Sequence, residues 1–352
     1  MGETAFVGVD VGTGSVRAAL VSYNGKILGS HVVPIKIHNP QQDFYEQSSD
    51  DIWSAVCNAV QQVATLAEKA GHQIKAIGFD ATCSLVISGV TSLGQWDVIM
   101  WMDHRAKEET AFINGLSHPV LDYVGAKVSL EMQTPKLLWL KKNKPEVWDG
   151  AQDFFDLADF LTFKATRSKK RSLCSLVCKW TYRGQSDEKG AIGWDESYFQ
   201  QIGLGDLCNE GQGRGKFEKI GTQVVNPGEI IGDLDEKAAK EMGLQQWNQT
   251  KGQEKVKVAC GLIDAHAGVL GLLAMKDIQN IESTLCLISG TSACHMILNK
   301  KKMMIPGIWG PYFSAILGNY WLHEGGQSAV GSLIDHLIQS HPAYHEIEEK
   351  LK

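Results

Sequence analysis

An α/β fold of two domains is the architecture predicted by this 352-residue sequence, and three observations predict it. The chain is longer than one core usually fills, because cores stop growing at roughly 250–300 residues. Strand-like apolar runs give way to helical periodicity within the first seventy residues. Finally, one short pattern occurs twice, an apolar strand, a Gly-Thr turn rich in hydroxyls and a second apolar strand. The first copy runs from Phe6 to Leu20 and turns at Gly12-Thr13-Gly14-Ser15; the second runs from Leu285 to Leu298 and turns at Ser289-Gly290-Thr291-Ser292. Glycine lets the backbone come close to a ligand, so that successive N–H groups and the Thr and Ser hydroxyls converge on phosphoryl oxygens. Either copy alone fits an ordinary hairpin. Together they point to one nucleoside triphosphate clasped between two related domains.

The elements follow in order. Thr4 to Val33 reads as three strands in a meander, with turns at Gly12-Thr13-Gly14 and at Asn24-Gly25, a strong two-residue hairpin signal. A helix follows, capped by Ser49 or Asp50, with Ile52, Trp53, Val56, Val60, Val63 and Ala67 on one stripe and Gly71 at its end. Ile74 to Phe79 is the next strand and stops at Asp80. Thr134 caps and Pro135 opens a helix that the lysines and Pro145 close, and Asp156 to Ala165 forms another. Residues 183–218 read as surface loop. The polar stretch 245–254 marks the domain boundary, giving a first domain over 1–254 and a second over 255–352. A strand then starts at Val256, and a helix spans about 331–340.

Composition narrows the function classes. The net charge of −6 offers no general attraction to nucleic acid or to an anionic membrane, so small molecules are the expected partners. The basic run from Arg167 to Arg171 reads as a solvated loop. Eight cysteines without a Cys-x-x-Cys pair suggest reduced thiols and a cytoplasmic setting. An acidic N-terminus and the lack of any long apolar run predict neither signal peptide nor membrane span. The sequon at Asn248 is best explained by chance. Oligomeric state is left open, and a homo-oligomer is compatible with the sequence.

Gly261-Leu262-Ile263-Asp264-Ala265-His266-Ala267-Gly268 follows the Val256 strand and opens a helix. An aspartate there can accept a proton from a substrate hydroxyl and help hold a cation beside a phosphoryl group, or it can simply cap the helix. With Asp10 to Arg17, Trp101-Met102-Asp103-His104-Arg105-Ala106, Ser289 to Ser292 and His323-Glu324-Gly325-Gly326-Gln327-Ser328, this segment resembles the FGGY carbohydrate kinases, and within them the ribulokinase branch. The five motifs stand in the family's order through nearly the whole chain.

That resemblance implies an actin-like, ribonuclease H-like ATPase fold and an ATP- and Mg2+-dependent kinase acting on the terminal hydroxyl of a pentulose, D-ribulose being the expected sugar. Asp264 matches the catalytic base. Gly12, Thr13, Gly14, Ser15 and Arg17 match the first phosphate loop, and Gly290, Thr291 and Ser292 the second. Asp10, with Asp264, matches the carboxylates near magnesium. Cys83 and Ser84, Asp103 and Arg105, Lys179 and Glu324 match positions around the polyol, although surface ion pairing is the plain alternative for Asp103, Arg105 and Lys179. Closure of two lobes about a hinge near residues 252–260 is also implied. In the family the second domain continues well past the Glu324 motif, with a late Gly-Gly segment for adenosine. This chain ends at Lys352, so the expectation is a complete first domain and a truncated second one. A sugar-binding or regulatory relative without turnover is the alternative, and an actin-like chaperone or filament protein a poorer third.

Overall fold

The computed structural model describes residues 2–90, 93–185, 191–210, 214–248 and 254–351. Its first body is a twisted mixed sheet. Thr4–Val11, Ser15–Ser22 and Ile27–Pro34 form the expected antiparallel meander, and Gln73–Ala81 pairs parallel with Thr4–Val11 on the other side. Lys257–Ala259 and Leu262–Ile263 then pair parallel with Gln73–Ala81, and Ile230–Asp233 closes the edge. The first sheet takes chain as far as Ile263, past the boundary expected at residue 254. Lys257–Ala259, within the stretch where the hinge is expected, pairs into that sheet; residues 252 and 253 lie outside the described residues, as do Gln249 and Thr250 of the sequon.

The helix Ser49–Ala70 lies against the meander and buries Ile52, Val56, Val60, Val63 and Ala67. Its start corrects the expected cap. Ser48 is the capping residue, its hydroxyl accepting from the Asp51 N–H, while Ser49 and Asp50 are already helical. Gly71 ends the helix at φ 72°, a left-handed conformation that glycine adopts without a steric penalty. A second layer carries a five-stranded sheet and the helices Gln133–Asn143, Leu157–Thr166 and Leu173–Lys179. The Thr134 cap is corrected too: Met132 occupies the capping position with no side-chain bond. The basic run is largely paired or buried, with Arg167 on Asp235, Lys169 on Asp153 and Arg171 enclosed over the Phe155 ring.

The second body is a four-stranded antiparallel sheet ordered Cys286–Ser289, Ala293–Asn299, Trp321–Gln327, Trp309–Phe313. The helices Gly331–Gln339 and Tyr344–Leu351 follow it, and they leave Ile334, Leu337, Ile338 and Ile347 exposed. Gly331 is required where it stands, since a Cβ there would meet the Gly290 carbonyl oxygen at 2.6 Å. Among the described residues no helix is long and apolar enough to cross a membrane, and all eight cysteines are free.

Candidate active site

Strand register brings three carboxylates together. Asp10 at the end of the first strand stands opposite Asp80 on its parallel neighbour, and Asp80 stands opposite Leu262, two residues before Asp264. All three line a cavity of about 740 Å3 between the two sheets. Both Gly-Thr turns open onto it, through Gly12, Thr13 and Gly14 on one side and Gly290, Thr291 and Ser292 on the other. The turns are closed by backbone bonds, Gly12 N–H to the Ser15 carbonyl at 3.0 Å and Gly290 N–H to the Ser292 carbonyl at 2.7 Å. A Cβ on Gly14 or Gly290 would enter empty space, the room that a phosphate approaching the backbone requires.

Asp264 is the first residue of the helix Asp264–Leu273, with Ile263 in the capping position. The capping alternative is thus set aside; its Oδ1 accepts only the neighbouring Ala265 N–H, at 2.8 Å. Burial pushes its pKa up to about 6, against the Ala265 N–H, with Asp10 adding repulsion. A carboxylate there is mostly ionised at neutral pH and basic enough to accept a proton. Asp80 is pushed well above the usual carboxylate range, first by burial and then by Asp10 and Asp264. Asp10 is held by Arg17 at 2.8 Å.

Elsewhere on the cavity wall, Lys179 ends the helix Leu173–Lys179 and reaches Glu131 at 3.5 Å. Burial works against its ammonium, but Cys83, Glu131 and Glu324 outweigh this and hold its pKa above the ordinary lysine range. Glu324 projects from the strand Trp321–Gln327, and with Cys83 and Lys179 it lines the same cavity.

Four expected residues stand elsewhere. Asp103 is fully buried, takes Arg105 through both carboxylate oxygens and accepts the Tyr45 N–H at 2.7 Å. Arg105 also bonds Glu46 at 2.9 Å and lies 4.3 Å from the centre of the Phe44 ring. Satisfied by each other, the two do not line the cavity, and they support the wall from behind. Ser84 is enclosed and accepts the Trp101 N–H, and Ser15 contributes its carbonyl to the turn; neither is among the lining residues. Sequence reasoning missed Asp80, Glu131 and Trp101, all of which line the cavity. A strand stopping at Asp80 was a usable signal; Glu131, in a short loop outside every motif, offered none.

With this geometry in hand, known proteins supply the frame. Residues 5–271 match the N-terminal domain of the FGGY family of carbohydrate kinases, and residues 285–352 match its C-terminal domain. The chain belongs to the FGGY family of carbohydrate kinases. The FGGY carbohydrate kinase domain-containing protein of Homo sapiens is 47% identical over 367 residues, covering 99% of this chain and 63% of its own length. A D-ribulokinase of Saccharomyces cerevisiae is 38% identical over 97% of this chain and 51% of its own length. In fold, a ligand-bound xylulose kinase from Lactobacillus acidophilus superposes with a TM-score of 0.76 at 19% identity, over 96% of this chain and 62% of that one. This FGGY chain thus spans about three-fifths of the relatives it matches.

Proposed function

We propose that this chain carries the sugar and phosphate sites of a pentulose kinase, one that transfers the γ-phosphate of ATP to the terminal hydroxyl of a ketose such as D-ribulose. The observation that carries this reading is Asp264, a carboxylate with a raised pKa on the wall of a cavity that both Gly-Thr turns face. Likeness to a D-ribulokinase at 38% identity supports the choice of sugar.

The residues fit a nucleotide with its cation. The open glycine positions and the Thr13 and Thr291 hydroxyls suit phosphate oxygens, and the Asp10, Asp264, Glu131 and Glu324 carboxylates on the cavity wall outnumber Arg17 and Lys179, leaving negative charge for a cation to balance. Among the described residues no three acidic, His or Cys side chains are placed to ligate one ion together; Asp10 and Asp264 are the carboxylates that would hold Mg2+ beside the phosphates. The bound cation would neutralise charge developing on the transferring phosphoryl group. Lys179 and Glu324 bind and orient the sugar hydroxyls, and an apolar ligand would cover both charged groups without hydrogen bonding to either. Asp264 accepts the proton from the attacking hydroxyl at its carboxylate as that oxygen bonds to the γ-phosphorus and the bond from the γ-phosphorus to the β-phosphate oxygen breaks, releasing ADP.

The test is ADP production with ATP, Mg2+ and a panel of ketoses, sugar alcohols and glycerol. Asp264→Asn should lower turnover by about 10²–10⁴-fold and leave sugar binding largely intact. Undiminished turnover in that variant sinks the assignment of the base, and sugar-induced stabilisation without turnover in the parent chain sinks the kinase reading of this length of protein.

A further inference from the structure

Trp101 reaches from the sugar-side wall to the first phosphate turn. Its indole Nε1–H donates to the Thr13 hydroxyl oxygen at 3.1 Å, and Gln47 donates to the Thr13 carbonyl at 2.9 Å. An indole nitrogen can only donate, whereas a hydroxyl can accept and donate at once. By accepting from Trp101, the Thr13 hydroxyl keeps its own proton for a second partner, and phosphate oxygens are acceptors. Thr13 faces the cavity. The indole thereby presets the turn as a donor.

The ring is held from behind. The Trp101 N–H donates to the enclosed Ser84 hydroxyl at 3.2 Å, and the fully buried Lys136 donates to the Met100 carbonyl at 2.8 Å. Asp103 and Arg105 fix the residues that follow. Trp101 and Cys83 both line the cavity, and Cys83 lies close enough to Lys179 to interact with its charge, so a ligand packed against Trp101 bears on the same indole that orients Thr13.

We propose that Trp101 is a positioning residue coupling the two subsites. A polyol against the Cys83–Trp101 wall holds the indole on Thr13, and Thr13 then offers its hydroxyl to the terminal phosphates of ATP. This inference rests on the kinase reading above. Coupling of this kind is reciprocal: sugar tightens MgATP, and MgATP tightens sugar by the same factor.

The experiment has a ligand-free arm and a binding arm. In the ¹⁵N-labelled chain the Trp101 indole cross-peak is identified by its loss in Trp101→Phe, a variant that keeps an aromatic ring and removes the donor. Thr13→Val should move that cross-peak in the free protein; an unmoved peak overturns the inference whether or not the chain binds nucleotide. In calorimetric titrations D-ribulose should tighten MgATP by about fivefold or more in the parent chain. Trp101→Phe and Thr13→Val should each abolish that enhancement, and the double variant should behave as Thr13→Val alone. Enhancement that survives in either single variant overturns the coupling. A parent chain that binds D-ribulose but never MgATP overturns the kinase reading and the coupling together, while the cross-peak still reports the bond itself.

Discussion

The two Gly-Thr hairpins share a sequence pattern but not a setting. In the first, Val7, Val9, Val11, Val16, Ala18 and Leu20 are all buried, and the helix Ser49–Ala70 lies along the meander. In the second, Cys286, Met296 and Leu298 are buried, yet Leu287 is 54% exposed and Leu285 63%. The turns nonetheless open onto the same cavity. Local sequence therefore sets the cavity-facing turn, and the burial of each hairpin comes from whatever packs on it.

The sharpest break between the halves would come at Asp264, which joins them. Asparagine there removes the proton acceptor, and loss of turnover of about 10²–10⁴-fold should leave the melting temperature near that of the parent; equal loss of both would make the residue structural. Next in size is the packing contrast. Leu20→Ala should destabilise by about 2–5 kcal/mol and Leu287→Ala by no more than about 0.5 kcal/mol, measured by denaturant unfolding; similar losses would erase the difference between the hairpins.

Asp159 tests how the first half depends on pH. Burial pushes its pKa up to about 8, Arg171 working against that. Between the unfolded value near 4 and about 8, the folded state binds the proton that the unfolded state has lost, so stability falls as pH rises, at up to about 1.4 kcal/mol per unit. Asp159→Asn should flatten that slope in melts from pH 5 to 8. A slope unchanged by the variant would exclude Asp159 as its source. The smallest expected effect on folding is from Gly14→Ala and Gly290→Ala, both within about 0.5 kcal/mol because each Cβ meets open space. Their MgATP affinity should nevertheless fall at both turns, and a fall at only one would mean that a single hairpin grips phosphate.

Much of this was legible in the chain. The meander, the helix ending at Gly71 and both turns follow from local signals, because alternation, helical periodicity and Gly-rich turns act over a few residues. Helix starts were less legible, since Ser48, Ser49 and Asp50 are all competent caps and only backbone geometry chose Ser48. The strand end at Asp80 was a local signal, but its meeting with Asp10 depends on a pairing across about seventy residues that no local signal carries. Asp103 and Arg105 misled for a chemical reason: a buried ion pair and a polar sugar contact use the same side chains, and only the surrounding Tyr45, Glu46 and Phe44 distinguish them.

The register that aligns Asp10, Asp80 and the Leu262–Ile263 strand has a mechanical consequence. Adjacent strands are spaced about 4.8 Å apart by their hydrogen bonds, so the proton acceptor and the carboxylates beside it are mounted on a single ruler. Their separation is indifferent to the angle between the two sheets. If that angle changes, the spacing of these carboxylate positions travels unaltered, and the adjustable quantity is their distance from the second turn.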